Sequence, residues 1–251
     1  MKRILYTLCI AITALVATQQ TKAQESFKKW EYKVFAGQNF GGTTPLPLPA
    51  EIRKINYYHP LFAPTLDFHI TRWFNPQWGL TAGIGIDIKG MSISADVLYM
   101  QTKLTVGEGT NTGIFSGTFS GKNKTRAKNG YITVPVLASF KPNPKWEFGL
   151  GVYTAFLQDA QFEGSAYEGY IRSGGPTGDK IQVDEATFDF SDEVKKVDFG
   201  FQANADWNFT RKMFLAGQLT WGVVPIFPSN FDGISYKMYN IYFMLGLGYR
   251  L

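Results

Sequence analysis

The stretch MYNIYFMLGLGYRL, residues 238–251, alternates without a break. Tyr239, Ile241, Phe243, Leu245, Leu247, Tyr249 and Leu251 are apolar or aromatic, while Asn240, Tyr242, Met244, Gly246, Gly248 and Arg250 are smaller or more polar. A period of two means a β-strand whose two faces meet different surroundings. A strand of this kind has an open edge unless another strand covers it, so the expected partner is the first strand of the chain, closing a sheet on itself.

The same alternation recurs upstream. Trp30, Tyr32, Val34 and Ala36 begin the first expected strand. Leu66, Phe68 and Ile70, then Leu80 to Ile88, form two more around Asn75-Pro76-Gln77. YITVPVLASF and WEFGLGVYTAF flank Pro142-Asn143-Pro144, and VDFGFQANADW and MFLAGQLTWGVV flank residues 208–212, which brings the expected count to eight. Pro135 inside the fourth strand predicts a bulge.

Connections between these strands alternate in length. Residues 41–61, 106–129, 158–195 and 225–237 are long, whereas 74–77, 141–145 and 208–212 are short. Eight antiparallel strands with short turns at one end and long loops at the other are the layout of an outer-membrane barrel. The composition agrees, since 21 Phe, 13 Tyr, 6 Trp and 26 Gly suit strands and turns better than helices. Beyond the N-terminal segment no apolar run approaches the roughly 20 residues of a bilayer helix, so any crossing falls to strands.

Residues 1–23 read as a secretory signal. Met1-Lys2-Arg3 is basic, Ile4 to Val16 is apolar, and Thr21-Lys22-Ala23 precedes Gln24 as a cleavage site. The barrel domain is then residues 24–251. The single cysteine, Cys9, lies in the signal, which leaves the mature chain without disulfide or thiol chemistry. Removing Lys2, Arg3 and Lys22 leaves 22 basic residues against 20 acidic ones, a balance that does not call for a polyanionic partner.

Charges within the strands share one face. Glu31, Lys33, Asp67, Asp87, Lys89, Glu147, Lys196, Asp198, Asp206 and Arg250, with His69, have the parity opposite to the apolar set, and Arg72 beside a turn is the exception. In a transmembrane barrel this set faces the lumen. In a soluble lipocalin-like barrel, the alternative, the apolar set would face inward. Tryptophan placement favours the membrane: Trp30, Trp73, Trp78, Trp146 and Trp207 fall beside the short turns or the chain start, where a periplasmic-side aromatic girdle would lie.

A signal ending Ala-Gln, the central ITVPVLASFKPNPKWEFGLGVYTAFL and the terminal FMLGLGYRL resemble the PorT-like outer-membrane β-barrel proteins of Gram-negative bacteria, over the whole mature chain. The resemblance implies an outer-membrane location and a possible place in a secretion-associated assembly, since one member of the family is linked to the type IX secretion system.

Eight strands enclose an interior only wide enough for side chains. The expected lumen network of Glu31, Lys33, Asp67, His69, Asp87, Lys89, Glu147, Asp198, Asp206 and Arg250 therefore fills the barrel, with Gly37, Gly83, Gly85, Gly149, Gly151, Gly200, Gly246 and Gly248 making room. A narrow channel or proton path through these groups is the alternative. Catalysis has little support. The two histidines are His59, in a loop, and His69, whose parity and that of Asp67 send both inward, away from the acyl chains a lipid-modifying enzyme would attack. Neither metal nor cofactor is expected, because no Cys/His cluster has zinc spacing and no glycine-rich phosphate loop joins a strand to a helix.

The long loops differ in charge. The second holds GKNKTRAKNG, with Lys122, Lys124, Arg126 and Lys128. The third carries Asp159, Glu163, Glu168, Asp179, Asp184, Glu185, Asp189, Asp192 and Glu193 against Arg172 and Lys180. The two could pair with each other. Alternatively, the basic loop meets lipopolysaccharide phosphates and the acidic loop meets envelope proteins or divalent cations. Without aromatic residues for base stacking, the basic loop does not suit nucleic acid. The expectation is a non-enzymatic binding or scaffolding barrel acting through its extracellular loops.

Overall fold

The computed structural model describes residues 29–106, 113–173 and 177–251; the expected signal at residues 1–23 lies outside them. The described residues form one antiparallel sheet of eleven strands: β1 (Trp30–Pro45), β2 (Ile52–Pro60), β3 (Pro64–Trp73), β4 (Trp78–Val106), β5 (Gly113–Asn143), β6 (Trp146–Asp159), β7 (Phe162–Arg172), β8 (Lys180–Asp189), β9 (Val197–Asn208), β10 (Met213–Gly222) and β11 (Met238–Arg250). The one helical element among them is a 3-10 turn, Ser191–Glu193.

Pairing returns on itself. β1 pairs with β3, and the ladder continues through β4, β5, β6, β9, β10 and β11 back to β1. At the seam Val34 lies opposite Tyr249, Gly37 opposite Gly246 and Phe40 opposite Phe243. The two glycines are required there: a Cβ on Gly246 would sit 2.8 Å from the Gly37 Cα, and one on Gly37 would sit 2.9 Å from the Gly246 Cα.

The expected eight strands are corrected to eleven. Most of the first three long connections is itself sheet, because β4 and β5 run on for 29 and 31 residues and offer edges to pair with. β2 continues along β4 beyond the end of β3, from Pro60 opposite Met91 to Ile52 opposite Val97. β7 does the same along β5 beyond β6, and β8 pairs with β7 and touches β4 at Thr105 opposite Thr187. The basic segment Lys122–Lys128 therefore belongs to strand β5 rather than to a loop, and His59 belongs to β2. Lys196 precedes β9 and is exposed.

β4 and β7, the strands on either side of β5, both bulge at one level of this extension. Register shifts fall between Val97 and Met100 on β4 and between Ser120 and Lys122 beside β7, with Tyr99 at φ 55°, Gly121 at 157° and Glu168 at 50°. Bulges of this kind bend strands and increase their twist. Pro135 produces none. β5 keeps its register with β6 through Pro135 opposite Tyr153, and the β4 ladder omits the rungs between Ala82–Val136 and Gly85–Thr133 without shifting. A missing N–H removes a hydrogen bond but need not insert a residue.

Two interiors result. The ring encloses mostly polar side chains, while Met100, Leu104, Phe119, Ala166, Ile171 and Val183 pack an apolar core inside the extension. Outside the ring, Leu66, Leu80, Ile84, Ile86, Leu150, Leu245 and Leu247 are all exposed. A continuous apolar band of this kind is a surface made for lipid.

Candidate functional site

Two ion clusters occupy the ring. Near the short turns, Lys33 Nζ lies 2.7 Å from both Glu147 Oε1 and Asp206 Oδ2. Arg250 bridges Glu31 and Glu147, 2.9 Å from each, and Lys141 lies 2.9 Å from Glu31 and 3.5 Å from Glu147. Three acids and three bases thus neutralise one another, with Lys33, Glu147 and Asp206 out of water and Glu31, Lys141 and Arg250 partly exposed, the pairing a buried charge requires. Lys141 was not among the expected lumen residues because it stands at a turn, although it shares parity with the inward Leu137 and Ser139.

Further along, Lys89 Nζ lies 3.3 Å from Asp198 and 3.9 Å from Asp87. The Tyr153 hydroxyl and the Asn240 amide each donate to Asp198 at 3.0 Å, and Asn39 donates to Asp87. Tyr153, Asn240 and Asn39 carry no charge, so the pattern of charged residues does not single them out, yet they supply much of this network. Between the clusters Phe35, Phe214, Ala216 and Met244 pack together, beside buried Asp67 and the hydrogen-bonded pair Gln202 and Gln218.

His69 and Asp67 are both buried but form no couple. Thr65 donates to Asp67 at 2.8 Å, and the His69 ring stands edge-on to Phe35 with centroids 4.8 Å apart. The void beside His69, lined also by Lys33, Thr81, Ser139, Glu147 and Asp206, is about 10 Å³, room for one water molecule. Nothing in this arrangement orients the imidazole to take a proton from a nucleophile.

Four of the five tryptophans expected in the girdle, Trp30, Trp78, Trp146 and Trp207, are exposed on the outer wall, with Trp146 opposite Trp207. Trp73 is a correction. Only 5% exposed, it shares parity with His69 and Thr71 and faces inward, where the Lys141 ammonium lies 4.2 Å from its ring. Nearness to a turn did not override the alternation.

The extension carries the other charges. Lys122, Lys124, Arg126 and Lys128 share the outward face of β5, and Arg126 lies opposite Glu163 of β7. Lys122 pairs with Glu168 at 2.5 Å, and that hydrogen bond raises the pKa of its ammonium. An open groove of about 710 Å³ runs past Lys124, Arg126, Glu163, Glu185 and Asp189. The basic and acidic segments therefore lie side by side on one sheet. Asp232, in the last long connection, pairs with Lys103 at 2.5 Å, and the hydrogen bond from that lysine holds its carboxyl below the usual range.

Residues 19–228 match the family described as an outer membrane protein beta-barrel domain. The chain belongs to that family. Its members are proteins of the Gram-negative outer membrane, so the apolar band of the ring sits in lipid. No curated protein matches the chain. Solved structures that resemble it include Ail, the attachment invasion locus protein of Yersinia pestis, in complex with the heparin analogue sucrose octasulfate, at 13% identity over 88% of this chain and 97% of that one, with a TM-score of 0.38. OprG of Pseudomonas aeruginosa is 12% identical over 89% and 97% of the two chains, with a TM-score of 0.33. The outer membrane protease OmpT of Escherichia coli is 18% identical over 75% and 64%, with a TM-score of 0.28.

Proposed function

We propose that this protein is a non-enzymatic binding or scaffolding barrel, exported by a signal at residues 1–23 that is removed to leave residues 24–251. The eight strands of the ring cross the membrane, the short turns face the periplasm, and the β extension stands outside the cell. The observation that carries this reading is the length of the β4–β5 hairpin. At about 3.3 Å per residue, the 29 residues of β4 reach roughly 95 Å, whereas a membrane strand needs only about 9–11 residues. Most of the hairpin therefore lies beyond the membrane, where its outer face can meet other molecules.

The extension has its own apolar core, and its outer face bears Lys122, Lys124, Arg126 and Lys128 next to acidic β7 and β8. The basic side suits lipopolysaccharide phosphates and the acidic side a protein of the envelope. The PorT-like resemblance points to a secretion-associated assembly as the setting. Against an open channel stands the interior: ion clusters and the packed side chains of Phe35, Phe214 and Met244 fill it.

Fractionation of tagged native protein, followed by crosslinking, tests the reading. Recovery from the outer membrane with a stable set of envelope proteins, lost on charge reversal at Lys124 and Arg126 or at Glu163 and Glu185, agrees with it. Recovery from the soluble periplasm would favour the lipocalin-like alternative. A steady conductance in planar bilayers would favour the channel.

A further inference from the structure

The ring has a weak place in its wall. β1 pairs with β3 only as far as Gln38 opposite Pro64, yet on its other side it stays paired with β11 as far as Pro45 opposite Met238. The Asn39 N–H still donates to the Ala63 carbonyl at 2.9 Å and the Gln38 amide to the Asn39 carbonyl at 2.9 Å, but beyond Asn39 the β1 edge faces β2, which pairs with β4 instead. At Gly41 a side chain stands in for the absent strand. The Gly41 N–H donates to the Tyr58 hydroxyl at 3.1 Å, and that hydroxyl donates to the Gly41 carbonyl at 2.7 Å. Gly41 has φ 147°, and a Cβ there would strike the β11 backbone at Ile241 and Tyr242.

Behind this edge lies a cavity of about 400 Å³. Its inner wall is apolar, formed by Ile52, Met91, Ile93, Ala95, Val97 and Met238. Its mouth includes Gly42, Thr44 and Ile241, which are on the outward-facing parity of their strands. Register sets the level. Phe40, Gly42 and Thr44 lie opposite Phe243, Ile241 and Tyr239, so the mouth opens at the end of the lipid-facing band of β11 that is farthest from the short turns. The volume is within the range of small-ligand sites, and such a lining selects for apolar shape rather than charge.

We propose that the slot between β1 and β2 holds a single long acyl chain, taken sideways from the lipid around the barrel, with the Tyr58 hydroxyl as its latch. The inference rests on the membrane placement argued above. The occupant follows from continuity: the mouth interrupts the surface that lipid tails cover, and at the mouth the Gly41 backbone is held by one rotatable hydroxyl rather than by a neighbouring strand.

The test uses the full chain, purified and inserted into phosphatidylcholine vesicles containing a trace of phosphatidylcholine with a diazirine on one acyl chain. After irradiation, adducts are expected on Met91, Val97 and Met238 as well as on lipid-facing Leu245 and Leu247. Filling the cavity with Ala95→Trp, or with Ala95→Leu if the larger side chain prevents folding, should cut the slot adducts about tenfold, the effect of losing about 1.4 kcal/mol of binding, and leave those on Leu245 and Leu247 unchanged. Tyr58→Phe should raise them. A parallel arm with a diazirine fatty acid distinguishes a phospholipid tail from a free fatty acid, and adducts from either reagent agree with an acyl-chain site. Adducts on Leu245 and Leu247 with none in the slot, or slot adducts indifferent to the Ala95 substitutions, would overturn the proposal. Absence of adducts from Leu245 and Leu247 would overturn the membrane placement instead.

Discussion

Lys33 and Glu147 are 114 positions apart in the chain and 2.7 Å apart in the barrel, both almost wholly shielded from solvent. Lys33 also reaches Asp206, which has no other ion-pair partner among the described residues, so one ammonium holds two carboxylates from β6 and β9 against β1. Lys33→Met should destabilise the barrel by about 3–5 kcal/mol, because it leaves buried charge uncompensated. Adding Asp206→Asn should recover part of that loss, as read by denaturant unfolding of the refolded protein. Equal stability of the single variant and the parent would show that the cluster does not hold the ring together.

Closure at the seam depends on the Gly37–Gly246 contact. Gly246→Val drives a branched side chain into the β1 backbone at Ala36 and Gly37. The expected loss is about 1–3 kcal/mol, typical of overpacking. Circular dichroism and protease resistance after refolding would register it. Substituting Gly217, whose nearest neighbours lie 3.5 Å or more away, should cost much less.

Leu245 stands midway along the outward set of β11 and is 45% exposed. Leu245→Lys should cost about 2–4 kcal/mol if that face meets lipid near the bilayer midplane. On a protein surrounded by water the same change would cost almost nothing. Unfolding in lipid vesicles is the measurement, with Phe209→Lys at the turn as the control expected to be mild.

The Lys103–Asp232 pair ties the last long connection to β4. Its carboxyl has a lowered pKa in the folded chain, so the stability it contributes is present above the ordinary carboxylate value and is lost as pH falls through the depressed one. Amide exchange around residues 231–233 should therefore be insensitive to pH near neutrality and accelerate only in acid, once intrinsic exchange rates are allowed for. Asp232→Asn should abolish that acid dependence. Both groups are well exposed, so the effect is local and small.

Much of the ring could be read directly from the residues. Strict alternation in 30–37, 66–71, 80–89 and 239–250 assigns a face to every side chain, because successive Cβ atoms point to opposite sides of a strand. The same rule sends Trp73 and Lys141 inward, although both stand beside turns. The extension was less legible. The segment around Lys122–Lys128 is polar and charged, and nothing local separates a solvated loop from a strand whose partners lie far away in sequence. Its strand character comes from ladders with β4 and β7.

Local alternation by itself determined the strands of the ring, the facing of their side chains and the alternation of short turns with long connections, since these depend on backbone stereochemistry and neighbours a few residues apart. Only the tertiary structure decided which charges meet, that the long connections become sheet, and that β1 outruns β3 to leave a slot beside Tyr58. Those outcomes depend on register between distant strands, and a one-residue change in register would exchange one face for the other along a whole strand.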